Sequence, residues 1–369
     1  NQQVMLHRLH ESGDTRQALQ RTRQGLTKLV QHHDMLRARV LLATSSMWQQ
    51  RILLQDESGV LWTEHHTEWV LSTATQSSLD LTRGPVLRAT YASGSLLFVI
   101  HHMVVDVVSW DIVVNDLIGL GKPTQEAPLQ KKSTSFQRWA CSMARQMPAF
   151  EMPVCGIPQS AHTDACTMLV DSASTLQVES EAGVDVSVLT ALALAWHDTH
   201  DLHVLSVDFE GHGREDFGDH DVSHTVGWFT SLFPRQFEIS DAADVAKCVR
   251  QIGVQYSSAN AAGGFGFTVR TGGLLSTGSA VPPVAYNFVG GGNADNEAAP
   301  GDWWCLGGTG DEGAPHDYRD SLMSWHTVGL NLSKHTDGAL VLSWSLGEKR
   351  EATSHVLLSV FEQRLREVV

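Results

Sequence analysis

The sequence predicts an α/β fold in two lobes, and three observations carry that prediction. Short apolar runs rich in β-branched and aromatic residues, typified by Leu96, Leu97, Phe98, Val99 and Ile100, read as buried strands. Two such runs end in polar turns, HHMVVDVVSW at 101–110 and EGHGRE at 210–215. Residues 147–166 carry Pro148, Pro153 and Pro158 and read as a linker, which divides the chain into lobes of 1–155 and 156–369. With 369 residues, the chain can form one large domain or two lobes, each with its own core.

Asp14 and Thr15 can cap a helix over 16–33, where Leu19, Leu26, Leu29 and Val30 form one apolar stripe. His32 and His33 stand at its end, where imidazoles suit the negative pole of the helix, and they read as surface or helix-end residues. Runs at 37–42 and 48–54 read as strands, and 86–91 with 95–100 as a hairpin about Ser93-Gly94 that delivers the histidine turn. Val108, Ile112, Val113 and Leu117 recur at helical spacing, so a helix begins near Asp106. The stretch 121–135 reads as a crossing loop, followed by a short amphipathic helix carrying Phe136, Trp139 and Met143.

Beyond the linker, Ser187 is placed to cap an apolar helix over 188–197, and 204–209 reads as a strand running into Glu210. Stretches 258–280 and 290–315, rich in small residues, read as mobile loops. Asp337-Gly338 lies between alternating runs at 328–332 and 340–344, the composition of a tight hairpin. Val356, Val360, Phe361, Leu365 and Val368 mark a C-terminal amphipathic helix.

A net charge of −15 speaks against nucleic acid or an anionic membrane as a partner, since either demands a basic face. No run approaches the roughly eighteen apolar residues of a membrane helix. The five cysteines, Cys141, Cys155, Cys166, Cys248 and Cys305, include no C-x-x-C pair and read as reduced thiols of a cytoplasmic protein. Because it begins at Asn1 without a methionine, the chain also reads as a fragment of something longer.

The chemistry these turns can support is narrow. Neighbouring strand residues face opposite ways, so one of His101 and His102 is expected to be structural and the other functional. Asp106 is placed to cap the helix or to pair with an arginine, and a turn-fixing role is favoured over a chemical one. H-H-x-x-x-D matches no zinc pattern, so no metal is expected. There is no G-x-S-x-G, Ser109 falls within the helix, and neither glycine turn completes a nucleotide motif. What remains is general acid/base work by an imidazole and a carboxylate, for which Glu210 is a candidate, although a solvated turn residue would look the same.

Four segments together resemble an ordered motif set: HHMVVDVVSW, EGHGRE, TVGWFTSLFP at 225–234 and AYNFVG at 285–290. The set is that of the epimerization domains of nonribosomal peptide synthetases, within the condensation-domain superfamily. HHDMLRARV is similar to the family's opening, and GGFGF at 263–267 to its G-x-G-Y-G segment. The resemblance implies two chloramphenicol-acetyltransferase-like lobes in a V-shaped pseudo-dimer with a central tunnel. It implies a substrate carried on the 4'-phosphopantetheine of an upstream peptidyl carrier protein domain, a downstream condensation domain, and no cofactor bound by the domain itself.

By motif position His102 and Glu210 become the catalytic pair on opposite sides of the tunnel. Glu210 would act as one acid/base, and His102 as the other or as the stabiliser of an enolate. Supporting positions are His101, Ser109 and Trp110 of the histidine motif, an Asp106–Arg214 salt bridge holding that turn, and Tyr286 with Asn287 in AYNFVG. Tyr286 is either a phenol near Glu210 or a core residue. Against the family pattern, 147–190 is short, 258–280 lacks its proline-led sequence, and the opening strand with its preceding helix is missing. The rivals are a condensation domain, which shares His102 but forms a peptide bond, and a silent condensation-like module that recruits partner proteins.

Overall fold

The computed structural model describes residues 2–9, 15–44, 47–54, 61–65, 78–92, 95–121, 129, 134–146, 159–160, 163–170, 182–214, 220–258, 282–291, 303–305, 323–324, 326, 328–334, 339–347 and 351–368. In chain order the elements begin with β1 (Gln2–Leu9), α1 (Thr15–His32), β2 (Ala38–Thr44), β3 (Met47–Ile52), β4 (Leu61–His65), β5 (Leu87–Ala92) and β6 (Ser95–His101). There follow α2 (Val107–Gly121), α3 (Phe136–Gln146), β7 (Gln159–Ser160), β8 (Thr163–Val170), α4 (Val184–His200), β9 (Val204–Gly211), β10 (Ser231–Glu238) and α5 (Val245–Ser258). The chain closes with β11 (Val284–Gly291), β12 (Trp303–Cys305), β13 (Met323–Ser324), β14 (Val328–Lys334), β15 (Leu340–Gly347) and α6 (Glu351–Val368).

These elements fall into two compact units that exchange segments. The first comprises Asn1–Gln146, Arg214–Thr230 and Asn293–Pro315, and the second Met147–Gly213, Ser231–Gly292 and His316–Val369. The chain thus leaves the second unit immediately after the glycine turn of EGHGRE and returns to it at β10.

The first unit is built on a sheet of order β12-β1-β6-β5-β4, in which β6 runs antiparallel to both β1 and β5. The chain opens on a strand that the sequence reading did not mark: β1 pairs with β6 from Gln2↔His101 to Arg8↔Ser95. Leu26, Leu29 and Val30 of α1, at the spacing of one helical face, join Val113, Val114 and Leu117 of α2 and Phe98 and Ile100 of β6 in one core. Arg37, in the HHDMLRARV segment, ends α1: its Nη1 donates to the carbonyls of Val30 and Gln31, each at 2.6 Å, satisfying acceptors that the helix leaves open. His33 is at the helix end as expected, yet it is buried. Its Nε2 lies 2.8 Å from Asp116 Oδ2 on α2.

The second unit has a six-stranded sheet of order β10-β9-β11-β14-β15-β8, with β11 parallel to both β9 and β14. One face is apolar, with Val207, Phe209, Val284, Tyr286, Leu330, Leu342 and Trp344 gathered with α4, α5 and α6 into a single core. The hairpin expected around 337–338 has its strands as β14 and β15, antiparallel from Val328↔Leu346 to Lys334↔Leu340. Pro234 sits in β10, an edge strand, where a residue without an N–H is tolerated.

Two expectations are corrected here. Ser187 does not cap its helix: α4 starts at Val184 after Gly183, whose φ of 83° suits glycine, and Ser187 is buried within the first turns. The far end of the expected linker is strand, because β8 pairs along β15 from Thr163↔Gly347 to Val170↔Leu340 and so completes the sheet. The turns at 93–94 and 337–338, GGFGF, nearly all of 258–280 and most of 290–315 lie outside the described residues.

Candidate functional site

β6 ends at His101, and a single 3-10 turn, His102–Val104, carries the chain into α2. His101 Nδ1 accepts from the Met103 N–H at 3.2 Å, and burial pushes this imidazole's pKa down to about 4. His101 is therefore neutral at physiological pH and serves the turn. His102 is half-buried and its Nδ1 lies 2.8 Å from the Val105 carbonyl oxygen. A carbonyl can only accept, so Nδ1 carries the hydrogen and, in the neutral ring, Nε2 keeps its lone pair. The Trp228 ring lies against the imidazole with centroids 5.4 Å apart.

Asp106, only 3% exposed, is where three segments meet: its own helix start, Arg214 and Phe229. Its Oδ1 caps α2 by accepting from the Ser109 N–H at 2.7 Å, and its Oδ2 accepts from the Phe229 N–H at 3.0 Å. Arg214 Nη2 donates to both oxygens at 3.0 and 3.1 Å and to Ser109 Oγ at 2.8 Å. Arg214 Nη1 binds the carbonyls of Val222 and Thr225, each at 2.9 Å, and the guanidinium lies 4.1 Å over the Phe229 ring. Burial lowers the Arg214 pKa and Asp106 opposes that shift.

Ser109 Oγ in turn donates to the Gly227 carbonyl at 2.9 Å and accepts from the Gly227 N–H at 3.0 Å. At Gly227 a Cβ would stand 2.3 Å from Phe136 Cδ2, so only glycine lets the 225–230 segment approach α3 this closely. Trp110 is buried in the core behind the turn.

In the second unit, β9 carries Glu210 out of the sheet at an exposed position, and Gly213 then turns the chain with a φ of 64°. Strand alternation puts Phe209 on the helix side, and Asp208 and Glu210 on the other. Tyr286 pairs with Phe209 in the ladder and packs against it at 4.9 Å. Its hydroxyl donates to Asp185 Oδ1 at 2.6 Å, and burial pushes its pKa well up. A supporting phenol beside Glu210 is thereby corrected to the core reading, because the pleat aims Tyr286 at the helices. Asn287, the next residue, is half-buried and takes the opposite face.

Sequence reasoning missed Asp185, Trp228, Phe229, Asp208 and His326. Asp208 is 0% exposed and lies 2.7 Å from His326 Nε2. A charge inside the apolar run VLSVDF was a legible signal for Asp208, whereas nothing local marked His326. Among the described residues, no group of three His, Cys, Asp or Glu side chains could hold a metal ion, and no helix is long and apolar enough to cross a membrane. Cys248 is buried and Cys141 exposed, and burial raises the Cys248 thiol's pKa.

The chain has the mixed α/β fold of condensation and epimerization domains, as its likeness to solved structures shows. Residues 1–150 match the family model described as Condensation domain. The fold is similar to that of the epimerization domain from the third module of tyrocidine synthetase B, with a TM-score of 0.75 at 22% identity over 100% of this chain and 92% of that one. It is similar also to the condensation domain from Monacolin K polyketide synthase MokA, with a TM-score of 0.71 at 13% identity over 99% of this chain and 91% of that one. In sequence, the chain is 30% identical over 311 residues to the nonribosomal peptide synthetase cm3A of Cordyceps militaris, covering 71% of this chain and 6% of the synthetase. The chain thus spans less than a tenth of that relative's length. These findings support membership of the condensation-domain superfamily of nonribosomal peptide synthetases.

Proposed function

We propose that this domain epimerizes the terminal residue of an L-aminoacyl or L-peptidyl thioester held on the 4'-phosphopantetheine of a carrier protein. The reading includes the tunnel between two lobes that the motif resemblance implies, an upstream carrier domain and a downstream condensation domain. A base removes the Cα proton, the electron pair spreads onto the thioester carbonyl, and a proton returned to the other face gives the D centre. Glu210 is assigned as one acid/base. His102 is assigned as the other, or as the donor that stabilises the enolate oxygen.

The observation that carries the reading is the His102 hydrogen bond to Val105, which leaves Nε2 with its lone pair in the neutral ring. Glu210 lends support as an exposed carboxylate just before the glycine turn of EGHGRE. No metal or nucleotide is called on, because an imidazole and a carboxylate can move a proton near neutral pH.

The test is solvent deuterium incorporation at Cα of a carrier-bound L-thioester by the parent, His102→Ala and Glu210→Gln. General acid/base contributions of about a hundred- to ten-thousand-fold should be lost in both variants. A parent that incorporates no deuterium would sink the reading. Peptide-bond formation between two carrier-bound substrates would then favour the condensation reading, which the Condensation domain match of residues 1–150 supports. Activity in neither assay would leave the recruiting module.

A further inference from the structure

We infer that the buried Asp208–His326 pair positions Glu210. The inference rests on the epimerization reading and assigns two further residues to its machinery. Asp208 and Glu210 are two residues apart on β9 and share the sheet face opposite the helices. Asp208 is fully buried while Glu210 is exposed, so the strand passes from an anchored carboxylate to a solvent-facing one within one pleat.

β9 loses one of its two strand neighbours along this stretch. On one side β9 stays in register with β10 along its whole length, with Asp208 facing Pro234. On the other side the β9–β11 register ends at Phe209↔Tyr286, one residue before Glu210. Beyond Phe209 the strand end stays in register with β10 through Glu210↔Leu232 and Gly211↔Ser231. The bond of 2.7 Å between His326 Nε2 and Asp208 Oδ2 adds a side-chain anchor one residue before the pairing with β11 ends.

Burying a carboxylate is costly unless it is paired and hydrogen-bonded, so the strand cannot slide or rotate at Asp208 without giving up the His326 bond. His326 stands two residues before β14, on the far side of β11 from β9. The bond thus ties the outgoing end of β9 to a strand that is not its neighbour and fixes the direction in which Glu210 leaves the sheet. Both are positioning residues; neither is assigned a proton in the reaction.

The experiment compares His326→Gln and His326→Asn with the parent in the Cα deuterium assay, reading kcat and KM separately, with a urea unfolding curve for each. Glutamine can place an N–H donor where Nε2 stands, whereas the shorter asparagine cannot. The expected result is that His326→Asn loses roughly ten- to a hundredfold in kcat, the scale of a small misplacement at a reacting centre, with KM within about twofold. His326→Gln should recover most of that loss.

Variants with unchanged kcat from an active parent would overturn the inference and leave the epimerization reading standing. Equal losses in both variants that track a fall in unfolding midpoint would also overturn it, because that marks a purely structural bond. A parent without exchange would overturn the functional reading, and this inference with it. If His326→Asn does not fold, Asp208→Asn, which keeps the shape and removes the charge, serves in its place: a kcat loss at unchanged KM supports the inference and a parental kcat overturns it.

Discussion

The histidine turn of the first unit and the Glu210 strand end of the second are held by different balances of polar and apolar contact. Asp106 is a buried charge on which side chains and backbone from 106, 109, 214 and 229 converge, and every one of its bonds is polar. Glu210 is carried by the pleat of β9, whose other face is locked into an apolar core through Phe209, Val207 and Leu205, with the Asp208–His326 bond as a polar anchor. A polar network of this kind has few substitutes for any member. An apolar face tolerates change more readily, because its attraction is spread over many contacts.

Truncating the centre of the network tests that contrast most severely. Asp106→Ala leaves Arg214 buried without its carboxylate and removes the cap of α2, so a loss of about 3–5 kcal/mol is expected from chemical denaturation. A loss below about 1 kcal/mol would show that the turn does not depend on the pair, a threshold typical of exposed pairs.

A smaller effect follows from pH. In the folded chain His101 titrates at about 4, below the ordinary 6.5 of an exposed imidazole. Between those values the unfolded chain binds a proton that the folded chain refuses, so stability is full above pH 6.5 and falls as pH drops toward 4. His101→Gln should flatten that slope between pH 7 and 4.5 when unfolding midpoints are compared. An unchanged slope would move the acid sensitivity elsewhere.

The smallest effect is expected in the second unit. Tyr286→Phe removes one donor from Asp185, which keeps Tyr256 at 2.8 Å, and should cost about 1 kcal/mol, the net worth of a typical hydrogen bond. Turnover should be unchanged, since the hydroxyl faces the helices. A thousandfold loss of deuterium exchange at unchanged stability would return Tyr286 to the reaction and break the contrast between the two faces of the sheet.

Much of the frame was legible before the structure. The spacing of Val108, Ile112, Val113 and Leu117 marked α2, Asp106 read as its cap, and the runs around 93–94 and 337–338 marked two antiparallel pairs. The first half of β8, residues 163–166, reads as the end of the linker because TDACTMLV mixes polar and apolar residues without alternation. The start of α4 was misread since a buried serine looks like a cap when its surroundings are unknown. Tyr286 was open between two roles because a strand's period shows which residues share a face, not what lies above it.

By itself, the sequence determined the local chemistry. It set which residues can cap, turn or carry protons, because propensity, hydrophobic period and side-chain pKa range belong to residues and their near neighbours. Tertiary structure decided which distant groups share a charge. Arg214 reaches Asp106 across 108 positions, a pair that the motif resemblance named and local spacing does not encode, whereas His326 reaches Asp208 across 118 with nothing in the sequence to mark it. The physical reason is desolvation: a carboxylate removed from water must find its donor wherever the fold brings one.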